Sequence, residues 1–295
     1  MHPDVAFPVW SSERARRVES VIDRLLPAAE EEPATLHEAM RYAVLGGGKR
    51  IRALLAYAAG ELTGADPAVV DHVAAALESM HAYSLIHDDL PCMDDDALRR
   101  GKPACHVAFG QATALLAGDA LQSFALETLA AAPLNDRGSA TLVLARAAGS
   151  RGMAGGQAID LACAETLLGL PELERMHRLK TGALIRAAVR LGADCGQAMD
   201  AEGNDALLRY ASAIGLAFQV VDDVLDVEGT AQSLGKTAGK DAVQRKSTYV
   251  TLLGLTAARE RIAALRSEAR SCTSMLGTGA RRLAELADWI VARTH

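Results

Sequence analysis

VVDHVAAALESMHAYSLIHDD, residues 69–89, decides the fold of this chain. Small or apolar residues recur at Val70, Val73, Ala74, Leu77, His81 and Ser84, and Asp88 continues the same stripe. Steps of three and four residues place that set on one face of a helix. A face that begins as core and ends in carboxylates is unusual, because buried charges are costly unless paired or metal-bound.

Two further stripes behave in the same way. One runs Ala211, Gly215, Phe218, Asp222, Asp226, and another runs Leu173, His177, Lys180, Leu184, Ala188. Alternating β-branched or aromatic runs bounded by Asn-Gly or Asp-Gly hardly occur, so strand signals are scarce. Breaks at Pro27, Pro33, 46–48, 64–67, 133–138, 169–171, 192–196 and 229–239 delimit roughly ten helices joined mostly by short loops. The expected architecture is all-α, a single domain over 1–295, with residues 1–30 a partly mobile N-terminal helical region. Three stripes that turn from apolar to charged imply a polar cavity inside the bundle.

Composition narrows the function. Of the 295 residues 50% are apolar and only 4% aromatic, which is material for a large aliphatic core. A net charge of −6 argues against a general nucleic-acid binder, which would carry a basic stripe. Five cysteines (Cys92, Cys105, Cys163, Cys195, Cys272) form no C-x-x-C pair, so a reducing cytoplasm is expected. The start shows no basic-then-apolar leader, and no uninterrupted apolar run is long enough to span a bilayer.

The acidic clusters carry the chemistry. In FQVVDDVLDV, residues 218–227, Asp222 and Asp226 are i, i+4 neighbours, with Asp223 beside them and Gln219 one turn before. Stacked carboxylates repel one another and ask for a counter-charge. Hard divalent cations such as Mg²⁺ favour carboxylate oxygens and bridge to phosphates, although a lone motif of this kind is also met as a solvated acidic face. In DDLPCMDDDALRRGKP, residues 88–103, Asp94 stands about 240° round an ideal helix from Asp88. It can join Asp88 only if the helix ends or distorts, and Pro91 lies where it would cause that. Asp95 and Asp96 are left to solvent.

Bases accompany both clusters: ALRRGKP (97–103) and GKTAGKDAVQRK (235–246). Carboxylate-held cations flanked by Arg and Lys form a receptor for a polyphosphate. LGGGKRIRALL, residues 45–55, points to a second anion site, a flexible turn before a basic helix start. It is not a nucleotide P-loop, since Arg50 follows Lys49 where a Ser or Thr is needed. Cys105 and His106 lack further ligand spacing, so zinc is not expected, and His87 reads as structural.

With DDLPCMDDDALRRGKP, DDVLD, GGGKRIR, GGQAIDL and KTG in this order, the chain resembles the trans-isoprenyl diphosphate synthases of the bacterial farnesyl diphosphate synthase type. The resemblance runs from about Leu36 to the carboxyl end. It implies the isoprenoid synthase fold and condensation of isopentenyl diphosphate with an allylic diphosphate (dimethylallyl or geranyl) to (2E,6E)-farnesyl diphosphate. Geranyl and geranylgeranyl diphosphate are the neighbouring product lengths.

The resemblance also implies a set of roles. Mg²⁺, three ions per site with Mn²⁺ as a substitute, would be held by Asp88, Asp89, Asp94, Asp222, Asp223 and Asp226, with Asp160 counted among the metal residues. Arg99, Lys180, Lys236 and Lys246 would grip the allylic diphosphate. Gln157, Asp160, Thr181 and Gln219 would line the pocket. Isopentenyl diphosphate would lie on Lys49, Arg52, His81 and Arg100, with Gly48 at the turn. Catalysis would rest chiefly on Asp88, Asp89, Arg99, Lys180, Asp222 and Lys236, through electrostatics and positioning. Tyr83 and Ser84 lie about 6–8 Å below Asp88 at helical rise, and a bulky aromatic at that level implies a pocket floor and a fifteen-carbon product. A homodimer is the implied assembly.

Departures from the family's pattern are mild: Ala53 replaces a common proline, Arg245 stands where a small residue is frequent, and PACH and RKST vary the usual motifs. A terpene cyclase would carry an Asn/Asp-Ser/Thr-Glu motif where this chain has DDVLD. A non-catalytic subunit would have lost an aspartate motif. A carboxylate-bridged di-iron bundle needs facing Glu-x-x-His pairs, and none is expected in the stripes.

Overall fold

The computed structural model describes residues 5–163, 168–228 and 247–293. The chain runs α1 (Phe7–Leu25), α2 (Ala34–Val44), α3 (Ile51–Leu62), α4 (Pro67–Asp88), β1 (Leu98–Arg99), β2 (Lys102–Pro103), α5 (Cys105–Phe109), α6 (Gln111–Ala131), α7 (Arg137–Ala148), α8 (Met153–Ala162) and α9 (Leu170–His177). A π-helical turn, Arg178–Gly182, leads into α10 (Ala183–Asp194) and α11 (Ala201–Glu228). Then come α12 (Tyr249–Leu253), α13 (Leu255–Met275), a short 3-10 turn (Thr278–Ala280) and α14 (Arg281–Val291). The all-α expectation holds: the strands among the described residues form one two-stranded antiparallel ribbon, with Leu98 opposite Pro103 and Arg99 opposite Lys102.

α4 is the axis of the bundle. Pro67 at its first turn and the Asp66 carboxylate, which accepts the Ala68 N–H at 2.9 Å, start it cleanly. It is buried almost all round, against α3, α6 and α10, and its run of alanines lets those neighbours come close. α11, 28 residues long, packs against α10 and α13 and carries the second aspartate cluster. No helix among the described residues is long and apolar enough to cross a membrane.

The N-terminal helix is docked through polar as well as apolar contacts. Trp10 Nε1 donates to Glu61 Oε1 at 2.8 Å, and Arg17 makes a two-pronged ion pair with Asp71 at 2.6 and 2.8 Å.

The third stripe shows one difference. Leu173 to Ala188 reads as one helix in the sequence, but the π-helical turn at Arg178–Gly182 interrupts it. The wider turn shifts the phase between α9 and α10 and turns Lys180 and Thr181 toward the cavity, as single π turns often do at functional sites.

Candidate active site

The carboxylate ends of α4 and α11 open onto one cavity of about 590 Å³. Asp88, Asp94 and Asp96 come from the first cluster, and Asp222, Asp223 and Asp226 from the second. Arg52, His81, Tyr83, Ser84, Arg99, Gln157, Asp160, Lys180, Thr181 and Gln219 share its wall. Fifteen expected positions from six stretches of chain, with Asp96 in addition, therefore meet around one space. Lys236 and Lys246 lie outside the described residues.

How Asp94 reaches Asp88 is visible in the backbone. α4 stops at Asp88, Met93 N–H and Asp95 N–H both bond to the Leu90 carbonyl (2.8 and 3.2 Å), and Asp94 N–H bonds to the Asp88 carbonyl at 2.8 Å. Pro91, with no N–H to offer, starts this fold-back. Asp95 takes the left-handed strain of the turn (φ 49°). Asp88 is pushed up to about 6, first by burial, then by repulsion from Asp94 and Asp89, with Lys180 opposing. Asp96 is no bystander: it lines the cavity and lies 3.8 Å from Arg99.

Asp89 differs from the expectation of a metal ligand. Its carboxylate is buried and does not share the cavity wall with Asp88, because Arg99 takes both oxygens, Nε at 3.0 and 3.1 Å and Nη2 closer still. The β1–β2 ribbon folds Arg99 back onto that carboxylate. Burial alone would depress Arg99, but the Asp89 hydrogen bond and charge hold it above its ordinary range.

The opposite wall depends on α8 and the π-helical turn. A Cβ at Gly156 would collide with the backbone nitrogen of Lys180, so only glycine allows this approach. It brings Asp160 Oδ2 to 2.6 Å from Lys180 Nζ. Burial would lower Lys180, yet Asp160 and Asp88 outweigh it and keep the ammonium charged. Across the cavity Gln219 Nε2 donates to Asp222 Oδ2 at 3.2 Å, while Asp223 Oδ2 accepts the Tyr249 N–H at 2.7 Å and so anchors α12. Asp226 is buried on the same wall.

The second cluster of bases lies beside His81. Arg52 is buried and pushed down to about 10 by that burial, with Glu78 the main opposing charge. Burial, then Arg52 and Arg100, keep His81 neutral. Arg100 lies against Gly48, its Nη1 donating to the Gly47 carbonyl. Burial and the Arg293 charge depress Lys49, with Asp222 opposing. Arg52 Nε, His81 Nδ1 and both polar atoms of Gln157 are buried without a hydrogen-bond partner among the described residues. Buried donors in that condition point to a polar ligand.

Below Asp88, Tyr83 is buried with its ring edge-on to His87, centroids 5.6 Å apart. His87 itself lines the same cavity, and its Nε2 bonds to the Leu115 carbonyl at 3.0 Å.

Two residues beside the expected set were given no role in the sequence analysis. Arg293, near the carboxyl end, pairs with Asp222 at 3.1 Å and stacks over Phe218 at 3.9 Å. His177, pushed down to about 4 by burial, lines the wall and stacks on Tyr249 at 5.8 Å. The chain does contain Glu-x-x-His spacings, Glu78–His81 and Glu174–His177, contrary to the sequence reading. Neither forms a di-iron arm, since Glu78 bonds to Arg50 and the Ala53 N–H, and Glu174 to Arg178 and Arg261.

Comparison with known proteins agrees with this geometry. Residues 33–276 match the sequence profile of the family described as Polyprenyl synthetase. The chain is 50% identical over 258 residues to the farnesyl diphosphate synthase of Haemophilus influenzae, covering 85% of this chain and 88% of that one. It is 46% identical over 295 residues to the farnesyl diphosphate synthase of Escherichia coli, covering 97% and 99%. A geranyltransferase from Helicobacter pylori, solved in complex with magnesium and isoprenyl diphosphate, superposes with a TM-score of 0.85 at 31% identity, over 99% of this chain and 98% of that one. The chain belongs to the polyprenyl synthetase family, and it is a trans-prenyltransferase of the bacterial farnesyl diphosphate synthase type.

Proposed function

We propose that the protein condenses isopentenyl diphosphate with dimethylallyl and then geranyl diphosphate to give farnesyl diphosphate, with magnesium as cofactor. The observation that carries this reading is the pair of aspartate clusters facing one cavity, with the bases Arg52 and Arg99 and the neutral His81 on its wall.

The residues fit magnesium. Asp88 rises to about 6 first through burial and then through repulsion from Asp94 and Asp89, a carboxylate group that a cation would relieve. Among the described residues no three acids or histidines converge as a ready-made cage. That suits an ion which keeps several waters and is held by one or two carboxylates plus substrate phosphates. Asp88, Asp94, Asp222 and Asp226 would hold it, three ions per site as in the family's pattern, with Mn²⁺ as a substitute. Asp89, Asp160 and Asp223 support that set through Arg99, Lys180 and α12. When bound, magnesium supplies neutralisation of the charge that grows on the departing diphosphate.

The chain's own residues do the rest. Lys180 and Arg99 orient the allylic diphosphate as its C–O bond breaks. Lys49, Arg52, Arg100 and His81 hold isopentenyl diphosphate so that its double bond attacks the allylic C1 cation. The new C–C bond forms, and the proton lost from isopentenyl C2 passes to the released diphosphate. Tyr83 limits the depth available to the chain.

The exposed apolar residues Val107, Leu115 and Leu116 on α5 and α6 support a homodimer with a second copy of this chain. The five unpaired cysteines support a cytoplasmic setting. The test is incubation with Mg²⁺, isopentenyl diphosphate and C5, C10 or C15 allylic primers, followed by product sizing. A C15 product is expected, and absence of any prenyl product refutes the reading.

A further inference from the structure

The loop at residues 45–50 presents Lys49 and leads into Arg52, yet it is rich in glycine and has no strand or helix of its own. What holds it is a buried ion pair. Arg50 caps α3 with a left-handed backbone (φ 51°), and its side chain turns inward until the residue is 4% exposed. Its Nη2 donates to the Val44 carbonyl at 2.7 Å, at the last residue of α2. Its Nε and Nη2 donate to Glu19 of α1 at 3.2 and 3.0 Å. Its Nη1 lies 3.4 Å from Glu78 Oε2 on α4.

Glu78 is 3% exposed, and its other oxygen accepts the Ala53 N–H at 3.1 Å. That N–H is one of the first-turn donors of α3 that have no partner inside the helix. Glu78 stands one turn before His81, and it is the main anion acting on Arg52. One ion pair thus ties α1, the end of α2, the start of α3 and the middle of α4 around the loop.

We propose that Arg50 and Glu78 are positioning residues for the isopentenyl diphosphate subsite, fixing the loop so that Lys49, Arg52 and His81 converge on one diphosphate. The inference rests on the function proposed above. Buried ion pairs contribute little net stability compared with apolar packing, so fold stability alone is a weak reason for this one. Neither side chain shares the cavity wall, so both act through their neighbours.

Charge gives the discriminating test. If the pair acted only through its field, removing the Glu78 charge would strengthen anion binding, and removing the Arg50 charge would weaken it. If it positions the loop, both changes weaken binding. Arg50→Ala and Glu78→Gln are compared with the unmodified protein, with KM measured separately for isopentenyl and allylic diphosphate. Isopentenyl diphosphate binding is also followed by calorimetry without metal. Both variants are expected to raise the isopentenyl KM and Kd by about tenfold, leaving the allylic KM within about twofold. Glu19→Gln, which loosens only the partly exposed outer leg (side chain 38% exposed), is expected to give about threefold and decides the matter if the buried variants do not fold. Tighter isopentenyl binding in Glu78→Gln, or an equal rise in both KM values, overturns the proposal, as does unchanged affinity in Glu19→Gln. Failure of the unmodified protein to condense its substrates counts against the function instead, and the calorimetric measurement still reads the clamp.

Discussion

Gly48→Ala would load strain onto one subsite and leave the other alone. Gly48 sits at φ +122°, where a side chain costs about 1–3 kcal/mol. An added Cβ would also stand 2.8 Å from Arg100 Cζ and 2.9 Å from its Nη2. Non-bonded carbon atoms rest at about 3.5–4.0 Å, so the guanidinium must retreat by roughly 0.7 Å or more. That retreat weakens the hydrogen bond from Arg100 to the Gly47 carbonyl, and hydrogen bonds from charged groups are worth about 1.5–3 kcal/mol. If about half of the combined penalty appears in binding, the isopentenyl diphosphate KM rises about 10- to 100-fold. The allylic KM should stay within about twofold, since Lys180 and Asp160 stand on other elements. Steady-state product quantification with each substrate varied in turn reads the split, and a thermal melt confirms folding. In an Arg100→Ala background the same glycine change should lose the part due to collision and keep only the backbone strain, a non-additivity expected for touching residues. A folded Gly48→Ala protein with an unchanged isopentenyl KM would show that Arg100 does not serve this subsite.

Tyr83→Ala removes the buried ring below Asp88 at a stability cost of about 3–5 kcal/mol, and chromatographic sizing should show products longer than C15; an unchanged profile sinks the floor assignment. Asp88 also makes a pH prediction. Its folded value of about 6 exceeds the ordinary 3.8, so between those limits the folded protein holds the proton more tightly than the unfolded chain. Stability from this group is therefore present below about 3.8 and lost as pH rises through 6, a change of about 3 kcal/mol. In metal-free buffer Asp88→Asn should escape that loss, so its denaturation free energy should gain about 2 kcal/mol on the unmodified protein between pH 4 and 6. Parallel profiles would refute the raised value.

How much of this was legible in sequence depends on the distance over which each feature is determined. The stripes of α4 and α11 and the convergence of Asp88, Asp222 and Asp226 follow from local periodicity, because a carboxylate that continues an apolar face has to share that face's destination. The turn that returns Asp94 was readable from Pro91 alone. Partner choice was not. Asp89 looks in sequence like a twin of Asp88, but the Leu98–Pro103 ribbon delivers Arg99 to its oxygens. Arg293 reaches Asp222 from α14's end, and nothing near either residue announces the contact. The π-helical turn at Arg178–Gly182 has no compositional mark, yet it decides which way Lys180 points.

A common physical pattern explains these misses. Each acid in question meets a base from a different element: Asp89 meets Arg99, Asp160 meets Lys180, and Asp222 meets Arg293. Carboxylates clustered on one helix end cannot be neutralised from that same helix, because its neighbouring positions are already acidic or committed to core. The counter-charges must therefore arrive across tertiary contacts, with lengths and angles that periodicity does not encode. Arg50 is the same case at the second subsite: in the sequence it is one base among three, and in the fold it turns away from the ligand side to meet Glu19 and Glu78. In the proposed function Lys49 and Arg52 would meet the diphosphate, while Arg50 is held by Glu19 and Glu78. On the proposed positioning role, a base in a motif is required for binding an anion that it never touches.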